Sequence, residues 1–239
     1  MNLLKNLNDT NGSAELILNC AENCLTEFDE SLFGCEMGIA YGGGIESIGK
    51  IWKNRGTIYG VDTFEGHPKY LAETCSYSKK IGGINSFAAK CMDYWYYVRK
   101  DDYGIEKIKQ EYIQSQLDKQ KLDNVILIKE LITNQTKIDF IQKLHYVLID
   151  LDIPTSIWDA YNLVKDKIVS KGYLCLHDCL PENHIFGCYD IYQNILKENL
   201  FNIIKEYPKN FLVILRKKGD QLSQNYFMTR CKKINYFIV

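Results

Sequence analysis

Four aspartates stand where an apolar run gives way to polar residues: Asp62 after GTIYGV, Asp150 and Asp152 closing HYVLIDLD, and Asp178 after GYLCLH. If these runs are neighbouring parallel strands, their carboxyl ends open on one crevice, where open α/β sheets bind ligands. Carboxylates gathered there repel one another and resist ionisation unless a cation or a cationic ligand compensates them. His177 precedes Asp178, and an imidazole with an ordinary pKa of about 6.5 suits proton removal at neutral pH. The glycine-rich stretch Gly38-Ile39-Ala40-Tyr41-Gly42-Gly43-Gly44 follows the first apolar run, and backbone can approach a ligand closely where side chains are missing. Its spacing differs from the GxGxxG of dinucleotide folds. Together with Asp62, whose carboxylate can accept both hydroxyls of a ribose, the turn describes a nucleoside site. The plainer alternative is a tight strand-to-helix turn with Asp62 as a local cap.

The elements that would position these residues are legible from periodicity. Leu16, Ile17, Cys20, Cys24 and Phe28 recur at helical spacing and predict a helix over 13–28. LFGCEMGIA reads as a strand entering the glycine turn, with a helix from Ile45 whose apolar face is Ile48, Ile51 and Trp52. GTIYGVDTF is a second strand ending at Asp62, which completes a βαβ unit and predicts a parallel sheet. Residues 67–123 form a long insertion, a lid or substrate element, carrying the aromatic cluster Tyr94, Trp95, Tyr96 and Tyr97 and ending in a charged helix over 104–122. The cluster suits either stacking on a substrate or packing in a lid or dimer interface.

NVILIK is the third strand, and Ile138, Ile141 and Leu144 mark a short helix after it. HYVLIDLD is the fourth. The next helix has Ser156 and Asp159 in capping-box spacing, carries Ile157, Tyr161, Val164 and Ile168 on one face, and ends at Lys171-Gly172. GYLCLHD follows as a strand, then a helix through Tyr189, Tyr192, Ile195 and Leu196, then NIIKEY and NFLVILRK as an antiparallel pair at the sheet edge. The expected architecture is a single α/β domain over 1–239, a Rossmann-like fold with a mostly parallel seven-stranded sheet, an antiparallel last strand and helices on both faces.

Composition narrows the function. With 29 basic and 30 acidic residues the formal net charge is -1, so the chain lacks the positive field of a non-specific nucleic-acid binder. No run reaches the roughly 18 consecutive apolar residues of a membrane span, and MNLLKNLNDTNGS has neither a secretory apolar segment nor a cleavage site. A cytoplasmic protein without membrane or nucleic-acid partner is expected. Nine cysteines in that compartment read as reduced thiols. The cluster Cys175, His177, Cys179, His184 and Cys188 matches no usual zinc spacing, and buried strand thiols beside a loop explain it.

GCEMGIAYGGG, GTIYGVDTFEGHP, YVLIDLD and SKGYLCLHD, in that order, resemble the motifs of class I S-adenosylmethionine-dependent methyltransferases. Within that superfamily they are similar to the macrocin O-methyltransferase type, which acts on sugar hydroxyls of natural products and glycans. DTFEGHP is similar to that group's Asp-(Ser/Thr)-Phe-Glu-Gly-x-Pro signature. The resemblance runs from Gly34 to about Tyr192 and leaves 67–123 and the carboxyl end without correspondence.

The resemblance implies that Gly38 and the turn Tyr41, Gly42 and Gly43 line the methionine part of the cofactor, with Glu36 beneath. Asp62 would hold the ribose hydroxyls, Thr63 and Phe64 would flank the adenosine, and Glu130 to Ile132, with Leu131 at the centre, would wall the adenine. Glu130 stands where relatives often have glycine. The group's magnesium-binding positions map to Asp150, His177 and Asp178, with His-Asp here in place of Asp-Asp. Magnesium takes oxygen ligands and imidazole suits it poorly, which leaves three readings: Mg²⁺ held through Asp150 and Asp178, a softer ion such as Mn²⁺, or no metal with His177 as general base. Asp152 is the first-choice base and His177 the second.

The function expected is transfer of a methyl group from S-adenosylmethionine to a hydroxyl of a saccharide or nucleotide-linked sugar. One rival is a nicotinamide-dependent oxidoreductase, which would carry a tighter GxGxxG and a Tyr-x-x-x-Lys relay. The other is a non-catalytic nucleoside-binding module. The loop ENHIFG with His184 could touch substrate or stay solvated, and the carboxyl tail QNYFMTRCKKINYFIV suits either a homo-oligomer contact or packing on the edge strand.

Overall fold

The computed structural model describes residues 12–66, 105–181 and 188–219. The aromatic cluster 94–97, the His184 loop and the tail from 224 onward lie outside the described residues, as does most of the 67–123 insertion.

The chain alternates strands and helices: α1 (Ser13–Glu27), β1 (Leu32–Met37), α2 (Gly43–Trp52), β2 (Gly56–Asp62), α3 (Gln110–Lys119), β3 (Val125–Lys129), β4 (Leu144–Ile149), α4 (Pro154–Val164), β5 (Ile168–His177), α5 (Cys188–Lys197), β6 (Phe201–Tyr207) and β7 (Leu212–Lys217). The strands form one seven-stranded sheet in the order β3-β2-β1-β4-β5-β7-β6. β1 to β5 are mutually parallel, and β7 runs antiparallel to both β5 and β6. The order reverses between β1 and β4, a switch point where two successive crossovers leave in opposite directions and open a crevice.

Helices cover both faces because the central strands are apolar on both sides; every residue of β4 is buried. On one face Leu16 and Cys20 of α1, Ile45, Ile48 and Trp52 of α2, and Ile113 and Leu117 of α3 pack together. On the other, Ile157, Tyr161 and Val164 of α4 meet Ile191, Tyr192 and Ile195 of α5. Each such side chain contributes about 1.5–3 kcal/mol when fully buried, so these stripes hold the helices on the sheet. The Trp52 indole N–H donates to the Ala21 carbonyl at 2.8 Å, joining α2 to α1. Among the described residues no helix is long and apolar enough to cross a membrane.

Local expectations fail in two segments, for physical reasons. The segment between β3 and β4 holds no helix: Ile138 and Ile141 are buried through a turn, and Leu144 already belongs to β4. Three apolar positions over seven residues amount to under two turns, too few to repay helix nucleation. The next helix is not opened by a Ser156 capping box: Pro154 occupies its first turn, Ile153 is the uncapped N-cap, and Ser156 and Asp159 lie inside. It ends at Val164. Ile168 instead opens β5, which passes through Lys171 at φ +66° and Gly172 before pairing regularly with β4 from Tyr173. The antiparallel pair stands at the sheet edge as expected, with β7 against β5 and β6 at the rim.

Candidate active site

β1 and β4 leave the sheet almost in contact, and Gly38 makes that possible. Its φ is +85°, and a Cβ there would lie 1.9 Å from the Asp150 carbonyl oxygen. The Gly38 N–H donates to the Val61 carbonyl at 2.9 Å, and the Asp150 N–H donates to the Met37 carbonyl at 2.9 Å. The exits of β1, β2 and β4 are thus tied at one point.

Asp62 performs the local task of the plainer reading and still faces the crevice. Its Oδ2 accepts the Ile39 N–H at 2.9 Å and the Ala40 N–H at 3.3 Å, and its Oδ1 accepts the Phe64 N–H at 2.9 Å. The carboxylate therefore shapes the glycine turn from the next strand. The Thr63 hydroxyl donates to the Gly66 carbonyl at 2.8 Å.

These elements enclose a cleft of about 310 Å³, within the size range of small-molecule sites. Gly38, Tyr41, Asp62, Thr63, Leu131, Asp150, His177 and Asp178 line it, as the sequence reading expects of them, and Glu130 and Ile132 do so beside Leu131. Five other expected site residues stand off it. Gly42, at φ +80°, serves as N-cap of α2 and backs onto Ile113 of α3; Gly43 is the first helical residue and is exposed. Phe64 is 2 % exposed and belongs to the core beneath α2, not to the adenosine wall. Its neighbour Thr63 faces the cleft because successive side chains turn to opposite sides where the strand ends.

Glu36 lies beneath the turn: a Cβ on Gly44 would stand 2.7 Å from its Oε1. Its Oε2 is buried without a hydrogen-bond partner. Burial, with Asp150 and Asp62 nearby, pushes its pKa up to about 8, so the group is mainly protonated at neutral pH.

Asp152, the expected base, is 6 % exposed and does not line the cleft. It sits behind Asp178. Burial and a carboxyl hydrogen bond with Asp152 raise the Asp178 pKa to about 7, against the opposing pull of His177. Among carboxylates near the acceptor end, Asp150 and Asp178 are the ones open to the cleft. The His177 Nδ1 stands 3.2 Å from Asp150 Oδ1 and 3.1 Å from Asp178 Oδ2. Burial lowers its pKa, but the two carboxylates raise it further, to about 10. With no ion among these groups the two carboxylates favour the protonated imidazole, which disfavours His177 as a base.

The same three side chains offer donor atoms that all lie within 4.8 Å of one another. The separations from Nδ1 satisfy ion-pair distance, yet the angles make no hydrogen bond, and Nδ1 is buried without one. An orphaned ring nitrogen between two carboxylates is a donor set that fits a divalent ion, which Asp150, His177 and Asp178 would hold.

No family model and no curated protein matches the chain by sequence. Solved structures do match it by fold. The O-methyltransferase NovP superposes with a TM-score of 0.61 at 17% identity, over 86% of this chain and 79% of that one. CalS11, a calicheamicin methyltransferase, gives 0.59 at 12% identity over 85% and 77%. The O-methyltransferase from Bacillus cereus in complex with SAH gives 0.52 at 11% identity over 91% and 87%. The fold is the Rossmann-like methyltransferase fold.

In that fold the cleft sits outside the carboxyl ends of β1, β2, β3, β4 and β5. The sequence reading missed Ala40, Val61, Gly66, Ile108, Leu151, Ile153 and Ser156, which complete its wall. Leu151 and Ile153 flank Asp152 and follow β4, so their place at a strand end was a usable signal. Ile108 arrives from a 3-10 turn far along the insertion, and nothing in its neighbourhood marks it. The lining holds four acidic side chains, Asp62, Glu130, Asp150 and Asp178, against the one imidazole of His177, and among the described residues no lysine or arginine. Such a cleft attracts cations.

Proposed function

We propose that the protein is an S-adenosylmethionine-dependent O-methyltransferase whose acceptor is a hydroxyl of a saccharide or nucleotide-linked sugar, assisted by a divalent ion. The observation that carries this reading is the cleft itself, which joins a glycine turn and a strand-end acid to the Asp150, His177 and Asp178 cluster within one nucleoside-sized space. The names of NovP, an O-methyltransferase, and CalS11, a calicheamicin methyltransferase, support methyl transfer; the sugar acceptor is what the motif resemblance implies.

Methyl transfer from a sulfonium is an in-line displacement by an already activated donor, so the protein mainly aligns the acceptor. Gly38 lets the backbone come up to the cofactor, Tyr41 and Thr63 flank it, and Asp62 offers the ribose hydroxyls its remaining acceptor capacity. The acidic lining favours the sulfonium cation and a divalent ion together. An ion held by Asp150, His177 and Asp178 would favour the alkoxide character of a hydroxyl that is a weak nucleophile at pH 7. Asp150, the more exposed of the two carboxylates facing His177, takes up the acceptor proton or passes it to water.

Titration calorimetry of the full chain with S-adenosylhomocysteine, with EDTA and with added divalent ions, tests the reading. Micromolar binding is expected, followed by methyl transfer to a sugar hydroxyl in an acceptor screen. Absence of binding in every condition discards it, and a nicotinamide cofactor would then be tried.

A further inference from the structure

His177 ends β5 and Asp178 follows it, beside Asp150, so a ring nitrogen joins two carboxylates in one cluster. The imidazole is turned inward: Nδ1 is buried, lacks a hydrogen-bond partner, and faces Asp150 Oδ1 at 3.2 Å and Asp178 Oδ2 at 3.1 Å. Ligand atoms at right angles around one ion at about 2.1 Å stand about 3 Å apart. The two separations from Nδ1 are therefore those of donors that share an ion, with nitrogen as one of them.

We propose that this site selects a nitrogen-accepting divalent transition ion over Mg²⁺, and that His177 is the residue that sets the selectivity. Mg²⁺ demands near-octahedral oxygen coordination and dehydrates reluctantly. An imidazole suits the later first-row ions, whose affinity for mixed nitrogen and oxygen sites rises along the series from Mn²⁺. Replacing a carboxylate by a neutral ring also lowers the charge of the ligand set by one, which weakens a hard ion most. The selectivity rests on the metal-assisted reading above, but it is measured by metal binding alone.

The test compares Co²⁺ and Mg²⁺ binding to the EDTA-treated full chain by calorimetry, for the wild type and for His177→Asp. The wild type should prefer Co²⁺ by about a hundredfold or more, and His177→Asp should reduce that ratio at least about tenfold by gaining Mg²⁺ affinity and losing Co²⁺ affinity. Visible absorption of the bound Co²⁺ should change between the two, since one nitrogen ligand becomes oxygen. An unchanged ratio in a variant with the wild-type melting temperature overturns the proposal, as does a wild type that binds no Co²⁺ at millimolar concentration. If the variant fails to fold, the wild-type complex decides: a hyperfine-shifted imidazole N–H resonance with Co²⁺ supports His177 ligation, and its absence overturns it. S-adenosylhomocysteine binding in EDTA is read separately, so failure of the cofactor reading and failure of the ion selectivity give different results.

Discussion

Gly38→Ala tests the junction on which the whole site depends. The new Cβ would sit 1.9 Å from the Asp150 carbonyl oxygen, at a φ of +85°. An ordinary contact needs at least about 3.2 Å, so β1 and β4 must part by more than 1 Å or the turn must change conformation. A left-handed alanine costs about 1–2 kcal/mol, and forcing atoms into a packed junction costs about 1–3 kcal/mol more. The sum, about 3 kcal/mol, lowers the melting temperature by at least about 6 °C in a domain of this size. The displacement also moves the Asp150 carboxylate and the turn apart, and a 1 Å misplacement at a site costs about a hundredfold. Thermal unfolding followed by calorimetry with S-adenosylhomocysteine reads both effects. A variant with wild-type melting temperature and wild-type affinity would refute the close approach of the two strands and its part in cofactor binding.

Asp62→Ala removes the acceptor of three backbone N–H groups and should abolish S-adenosylhomocysteine binding, whereas Asp62→Asn keeps one accepting oxygen and should bind weakly; unchanged affinity in the alanine variant counts against the ribose assignment. Asp150→Ala or Asp178→Ala should end metal-dependent methyl transfer while the cofactor still binds, and full turnover in either would refute their role as ligands. Glu36 is protonated more readily in the folded chain, with its pKa up at about 8 against an ordinary 4.5. The folded state then binds the extra proton, so this group's contribution to stability is full below about pH 4.5, falls as pH rises towards 8, and is level above it. Glu36→Gln should accordingly gain in melting temperature relative to wild type between pH 5 and pH 9; a difference that stays constant across that range would show that Glu36 is not held protonated.

Much of the frame was written locally. Alternating apolar runs and helical stripes marked the strands and most helices, because each element buries a face that its own sequence must supply. The same runs placed Asp62, Asp150 and Asp178 at strand ends, and parallel pairing alone brings such ends to one edge. Where a segment has no face to bury regularly, the pattern misled: Ile138 and Ile141 keep helical spacing but are buried from a turn, and Ile168 belongs to a strand.

Which way a side chain points at the end of a strand was not written there. Asp150 and Asp152 look equivalent in HYVLIDLD, yet one opens to the cleft and the other is buried behind Asp178, because the chain turns at Asp152 with φ +58° to enter α4. Thr63 and Phe64 part in the same way. The chemical character of His177 was likewise undecided, since an imidazole alone in solution is a fair base. Only the tertiary fold brings it against Asp150 and Asp178, from a different strand and from the next residue, and so raises its proton affinity. Sequence determined the residue types and the edge at which they collect, because these follow from local periodicity and parallel pairing. The structure decided orientation, proton affinity and ligand geometry, because these depend on atoms brought within a few ångströms from segments far apart in the chain.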